Sequence, residues 1–267
     1  YIPAESRTRA LRMQIFGFER PVKLKPCIKK LYLKLPQPSL KDNRSDSKRL
    51  LDALSRQDSG VRLSKRLVLK LPEVLRSSKW SSTAVVWYDT DVLTLEAGDT
   101  ADALYGCAID IGTSKIVGYL VDLRKGEVAA TSAFENPQIC FGEELITRIS
   151  YASKPEGLKE LQELVISGVN RTVGHLCSEA KINPQHIYDI AVAGNTAMHH
   201  IFAGIAPKYL AYAPYVAAVT EPLHSDASEL GLLSNPCGKV YLLPNVASFV
   251  GGDAVADSLA VGMAGFQ

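Results

Sequence analysis

Residues 105–130 read YGCAIDIGTSKIVGYLVDLRKGEVAA. An apolar run reaches Asp110, a small turn Gly112-Thr113-Ser114 follows, and a second apolar run from Ile116 to Leu123 leaves it before Gly126 closes another turn. Two β-rich segments about a short turn predict a hairpin. The turn suits a polyphosphate. Gly112 lets the backbone approach closely, Thr113 and Ser114 carry hydroxyls, and successive N–H groups in a tight turn can form an anion nest. Asp110, at the end of a buried strand, is placed to hold Mg²⁺ through water, because that ion keeps much of its hydration shell. A plain hairpin whose aspartate bonds its own turn fits the same few residues.

The chain has 267 residues, room for two domains or one large one, and 46% are hydrophobic, enough for a full core. Net charge is only +2, but residues 1–100 hold 20 Lys/Arg against 11 Asp/Glu, and residues 101–267 hold 10 against 17. That asymmetry predicts two units with different surfaces. No aromatic-interleaved or recognition-helix pattern accompanies the basic half, so nucleic acid is not an expected partner. Cysteines at 27, 107, 140, 177 and 237 form no Cys-x-x-Cys pair, which suits reduced thiols and gives no zinc or iron–sulfur spacing. No apolar run is long enough to span a bilayer, and no signal peptide is visible in a sequence that starts at Tyr1 and not at Met. The expectation is a cytoplasmic protein, with no membrane partner, cut from or missing part of something longer.

Along residues 1–19 the pattern gives a linker with a strand candidate at 11–15. Residues 20–100 read as a small mixed α/β unit. It has a strand from Ile28 to Leu35, a helix over 45–55 capped by Ser45 or Asp46, and a strand over 67–71 before a short helix opened by Pro72. A hairpin over 83–96 turns at Asp89-Thr90-Asp91. Residues 104–267 then give three meandering strands (105–111, 116–123, 127–133), a short helix over 143–151, and a long helix on which Leu158, Leu161, Val165, Val169 and Val173 recur at spacings of three and four. A buried strand, 187–193, runs into a helix ending near Phe202; a strand over 240–243 and a helix over 250–262 follow. Three meandering strands and then alternating helix and strand is an α/β layer order with helices on both sheet faces, the order of a ribonuclease-H-like half-domain.

Each further motif carries two readings. Asn136-Pro137-Gln138 is a cleft-floor turn or simply a turn with a helix cap. Arg148 reaches a phosphate or makes a surface ion pair. Gly194-Asn195-Thr196, between a buried strand and a helix start, either offers free N–H groups to an anion or caps the helix. His199 and His200 point about 100° apart on a helix and form no metal face, one expected packed and the other exposed. Gly251-Gly252-Asp253 opens the last helix, and Asp253 is a cap or a carboxylate that positions Mg²⁺ or water.

Four blocks in this order, YGCAIDIGTSKIVGYLVDLRKGEV, ENPQICFGEELITRISYA, IYDIAVAGNTAMHHIFAGIAP and LLPNVASFVGGDAVADSLAVGM, closely resemble the ATP-dependent reductive activators of corrinoid proteins, members of the acetate and sugar kinase, Hsp70 and actin superfamily. VKLKPCIKKLYLKLPQPSLKDNRSD resembles that family's middle domain. The resemblance implies a middle domain over 20–100 and the first lobe of an actin-like ATPase over 104–267. It implies ATP and Mg²⁺ as ligands, with Asp110 and Asp253 catalytic and Asp110 holding Mg²⁺ through water. Gly112, Thr113, Ser114, Lys115, Gly194, Asn195, Thr196, Gly251 and Gly252 would line the nucleotide site. The implied activity is ATP-driven transfer of an electron from a [2Fe–2S] domain to cob(II)alamin on a corrinoid protein partner, which returns it to cob(I)alamin. A homodimer stays open. Three departures qualify this: the chain carries no cysteine cluster for the donor, it stops before the second phosphate loop, and Thr113-Ser114-Lys115 replaces a run of threonines. This chain alone is therefore expected to be inactive and to bind ATP weakly or not at all. A small-molecule kinase of the same superfamily and a non-catalytic binding module are the alternatives.

Overall fold

The computed structural model describes residues 23–55 and 61–263. The expected linker over 1–19 and its strand at 11–15 lie outside them. Two sheets organise the rest. The first is built from β1 (Ile28–Lys34), β2 (Arg62–Leu63), β3 (Ser81–Trp87) and β4 (Asp91–Ala97) in the order β1-β3-β4-β2. β1, β3 and β4 are antiparallel neighbours, and β2 joins β4 in parallel. Tyr88, Asp89 and Thr90 turn the β3–β4 hairpin; Tyr88 and Asp89 have positive φ, and the Thr90 amide donates to the Trp87 carbonyl at 3.1 Å.

Helices α1 (Asp46–Leu54) and α2 (Lys65–Ser77) cover one face of this sheet. The side chains of Ser45 and Ser64 accept from the amides of Lys48 and Leu67 and cap them. The expected strand at 67–71 and helix from Pro72 are instead the single helix α2. Leu67, Leu71 and Leu75 recur every four residues and are buried together, whereas Val68, Leu69 and Pro72 face outward. Proline removes one helical hydrogen bond, and here Pro72 and Val68, four residues before it, are both exposed.

The second sheet runs β7-β6-β5-β8-β10-β9. β5 (Tyr105–Ile111), β6 (Lys115–Asp122) and β7 (Glu127–Glu135) form an antiparallel meander. β8 (Ile187–Gly194) pairs in parallel with β5, and β10 (Lys239–Leu242) in parallel with β8. β9 (Leu223–Asp226) closes the far edge antiparallel to β10 and runs directly into the one-turn helix α6 (Ala227–Leu230), neither of which the periodicity predicts. The remaining helices are α3 (Leu145–Tyr151), α4 (Pro155–Ala180), α5 (Thr196–Phe202) and α7 (Gly252–Ala260).

Leu161, Val165, Val169 and Val173 of α4 pack on Cys107, Ile109, Ile111, Ile116 and Leu120 of the sheet. Gly118 permits this approach, since a Cβ there would sit 2.7 Å from Thr172 Cγ2. Ile28, Val85 and Leu93 of the first sheet meet Leu104, Tyr188 and Cys237 of the second unit in a smaller apolar seam. At its edge the buried Lys30 ammonium lies 2.7 Å from Glu96, which also accepts from the hydroxyls of Tyr188 and Thr100. No helix among the described residues is long and apolar enough to cross a membrane.

Candidate functional site

Parallel pairing sends the ends of β5, β8 and β10 to one edge of the second sheet, the edge where α/β sheets bind ligands because three loops leave it together. Asp110 pairs with Ala193, and Ile111 with Gly194, so the Gly112-Thr113-Ser114 turn lies beside Gly194-Asn195-Thr196. Asn195 joins them. Its Oδ1 accepts from the amide of Met198, capping α5, and its Nδ2 donates to Thr113 Oγ1 at 3.3 Å. Capping and site construction are thus one job of one side chain.

The third loop, 243–251, arrives from β10. Gly251 crosses the β8–α5 junction at very close range. A Cβ at 251 would stand 2.4 Å from the Gly194 carbonyl oxygen and 2.5 Å from the Thr196 nitrogen. Thr196 is fully buried, and its hydroxyl donates to the carbonyl of Ala247 at 2.6 Å, so its side chain fastens this loop. Gly252 packs on Leu243, where a Cβ would lie 2.8 Å from that side chain's Cβ. Asp253 follows in the first turn of α7 and accepts from the amide of Ala254.

Behind the turn, Asn136 is fully buried and N-caps a short 3-10 helix, Pro137–Phe141. Its backbone amide donates to the Ser114 carbonyl at 2.9 Å, and its Nδ2 donates to the Gly112 carbonyl at 2.8 Å. Two carbonyls of the turn are tied back in this way. Among the described residues no protein acceptor takes the amides of Thr113 or Ser114. Lys115 opens β6 opposite Glu135, and its carbonyl lies where a Cβ on Gly112 would be, 2.9 Å away.

The site is rich in negative charge. The pKa of Asp110 is raised, first by partial burial in the cleft and then by the fields of Asp253 and Asp257. The charge of Asp253, at the start of α7, is thus near enough to contribute to the raised pKa of Asp110. Asp257 joins them one helical turn beyond Asp253; that i, i+4 spacing was visible in the sequence. Among the described residues no three His, Cys, Asp or Glu side chains are close enough to ligate one metal ion directly.

Two flanking expectations are corrected. His199 and His200 are both buried, because residues 205–218 fold back over α5. His200 Nδ1 lies 2.7 Å from the Thr196 carbonyl, and its Nε2 accepts from the amide of Ala218. Among the described residues His199 has no hydrogen-bond partner on either ring nitrogen, and burial followed by the neighbouring His200 pulls its pKa down to about 4. Arg148 makes no surface pair; it is completely buried, with Nε on the Gly142 carbonyl at 2.8 Å.

Residues 105–265 match the model of the RACo middle region, and residues 17–102 match the RACo linker region. The corrinoid activation enzyme RamQ of Eubacterium limosum is 34% identical over 154 residues, which is 57% of this chain and 26% of that protein. A solved structure titled reductive activator for corrinoid, iron-sulfur protein superposes on 93% of this chain and 40% of that one, with a TM-score of 0.83 and 36% identity. The chain thus spans well under half the length of either relative. Because the middle-region model alone covers more than half of its residues, the chain belongs to the RACo family.

Proposed function

We propose that this chain supplies the nucleotide-handling lobe of an ATP-dependent reductive activator of corrinoid proteins. One observation carries the proposal: Asp110, Gly112–Ser114, Asn195 and Gly251–Asp253 come from three separate loops and meet at one sheet edge. The strand order supports an actin-like assignment, since a three-strand meander followed by two parallel strands is the ribonuclease-H-like arrangement. On this view residues 20–100 are a distinct unit and residues 104–267 are the first lobe.

The donor set fits hydrated Mg²⁺. Asp110, Asp253 and Asp257 offer hard carboxylate oxygens, and the pKa of Asp110 is raised by burial first and then by the charges of the other two. No three such carboxylates among the described residues come close enough to ligate one ion directly, so Asp110 would hold Mg²⁺ through its bound water. When bound, Mg²⁺ supplies charge neutralisation for the phosphates. The turn amides and the Thr113 and Ser114 hydroxyls would bind the phosphates of ATP, Lys115 would add a flanking cation, and Asp253 would orient water. The chain's own cysteines do not fit an iron–sulfur cluster: all five are free and dispersed. A [2Fe–2S] donor belongs to another part of the protein, and the corrinoid protein is the partner that accepts the electron.

The test joins this chain to the rest of a full-length activator and follows cob(I)alamin formation optically on a corrinoid protein, with and without ATP. Asp110→Asn and Asp253→Asn are each expected to lower the ATP-dependent rate at least about 100-fold, a loss comparable to removing one preorganised catalytic group. Reduction at equal rates without ATP, or in both variants, would sink the proposal. Phosphoryl transfer to an added acid or sugar would replace it with a kinase.

A further inference from the structure

Two arginines in the described structure are fully buried, and they are treated differently. Arg49 has the Asp42 carboxylate 2.6 Å from its Nη1. Arg148 has no carboxylate in ion-pair range among the described residues; its donors meet only neutral acceptors. Nε reaches the Gly142 carbonyl at 2.8 Å, Nη1 reaches Gln138 Oε1 at 3.4 Å and Met198 Sδ at 3.9 Å, and Nη2 has no partner. Burial lowers its pKa, yet a guanidinium stays protonated at neutral pH. An unneutralised cation inside a protein weakens the fold, and an apolar residue of similar volume would often serve stability better.

Its position says what the charge is for. The Met198 sulfur that Arg148 approaches is also 3.9 Å from Asn136 Nδ2, the group that holds the Gly112 carbonyl. Gln138, the other neighbour of Arg148, donates its amide to Asn136 Oδ1. The cation therefore lies behind the Gly112–Ser114 turn, linked to it through the side chains of Met198, Gln138 and Asn136, which are buried and screen poorly. We infer that Arg148 supplies the buried positive charge that holds a polyphosphate on this turn, acting through the turn as a positioning residue without touching the ligand. The inference rests on the phosphate role proposed for the same turn. It goes beyond it by naming a buried source of attraction behind a turn that faces three carboxylates.

Its test uses the whole chain and inorganic tripolyphosphate, titrated calorimetrically, with Arg148→Lys and Arg148→Gln beside the unsubstituted protein. A unit charge about 10 Å from one unscreened phosphate charge at an effective dielectric near 20 changes affinity by about tenfold. Arg148→Gln is expected to bind about tenfold more weakly while melting no lower without ligand. Arg148→Lys, which keeps the charge but not the guanidinium geometry, is expected to bind as the unsubstituted chain does. Equal binding by the unsubstituted and Gln chains would overturn the inference while leaving the phosphate role intact. Equal weakening in both variants, with lowered melting temperatures, would overturn it in favour of packing. No binding by the unsubstituted chain up to tens of millimolar would overturn the phosphate role first, and this inference with it.

Discussion

Gly251→Ala tests whether the three loops are one device. A Cβ at 251 would lie 2.4 Å from the Gly194 oxygen, 2.5 Å from the Thr196 nitrogen and 2.6 Å from the Asn195 carbonyl carbon. Ordinary contacts of this kind begin at 3.4 Å. All three obstacles are backbone atoms, so no rotamer change relieves them, and the start of α7 must retreat by roughly an ångström. Overpacking of this kind costs about 1–3 kcal/mol. The retreat also carries Asp253 and Asp257 away from Asp110, which weakens the repulsion that helps raise the Asp110 pKa. The expected result is a lower urea midpoint with an unchanged slope, together with an Asp110 carboxyl titrating closer to its ordinary value in a carbon-detected NMR titration. A variant within about 0.5 kcal/mol of the original with an unmoved Asp110 would refute the close crossing and the coupling drawn from it.

Acid should find His199. Its folded pKa of about 4 lies below the ordinary value near 6.5, so its contribution is complete above about pH 6.5, declines as the pH falls toward 4, and changes no further below that. The difference amounts to about 3 kcal/mol of stability, and urea unfolding at pH 7 and pH 4 should show a clearly smaller gap in His199→Phe. Asn195→Ala removes a helix cap and the link to Thr113, which should lower stability by about 1 kcal/mol and reduce tripolyphosphate affinity; unchanged affinity would leave Asn195 as a cap alone. Glu96→Ala strips the buried Lys30 of its counter-ion and should cost about 3 kcal/mol in chemical denaturation, whereas the exposed pair Lys29–Asp89 should cost under about 1 when broken.

The elements that local chemistry decides were legible. The β5–β6 hairpin follows from apolar runs about a small turn, and α4 from its three-and-four spacing. α2 was misread because Leu67, Leu69 and Leu71 satisfy a period of two while Leu67, Leu71 and Leu75 satisfy a helical one; Ser64 as a cap and Leu75 beyond the proline break the tie. α6 carried a local signal that went unused, a capping box in which Asp226 and Glu229 bond each other's backbone. The rest depends on distant chain. Nothing local says that residues 205–218 cover both histidines, or that Arg148 is buried without an acid. Likewise, Asn136 reads locally as a cap, and only the fold reveals the Gly112 carbonyl against its amide.

The charges at this sheet edge remain unsatisfied in two opposite senses. On the α7 side, Asp253 and Asp257 press on Asp110, which favours a cation. Behind the turn, Arg148 has no carboxylate in ion-pair range among the described residues and its Nη2 has no hydrogen-bond partner there, which favours an anion. A free phosphate answers the second need and aggravates the first; a free cation does the reverse. Only a metal-bound polyphosphate answers both, because the ion and the anion also neutralise each other in the cleft. Mg²⁺ and tripolyphosphate together should therefore raise the melting temperature by more than the sum of their separate effects, and simple additivity would mean that the acidic and basic sides do not share one ligand.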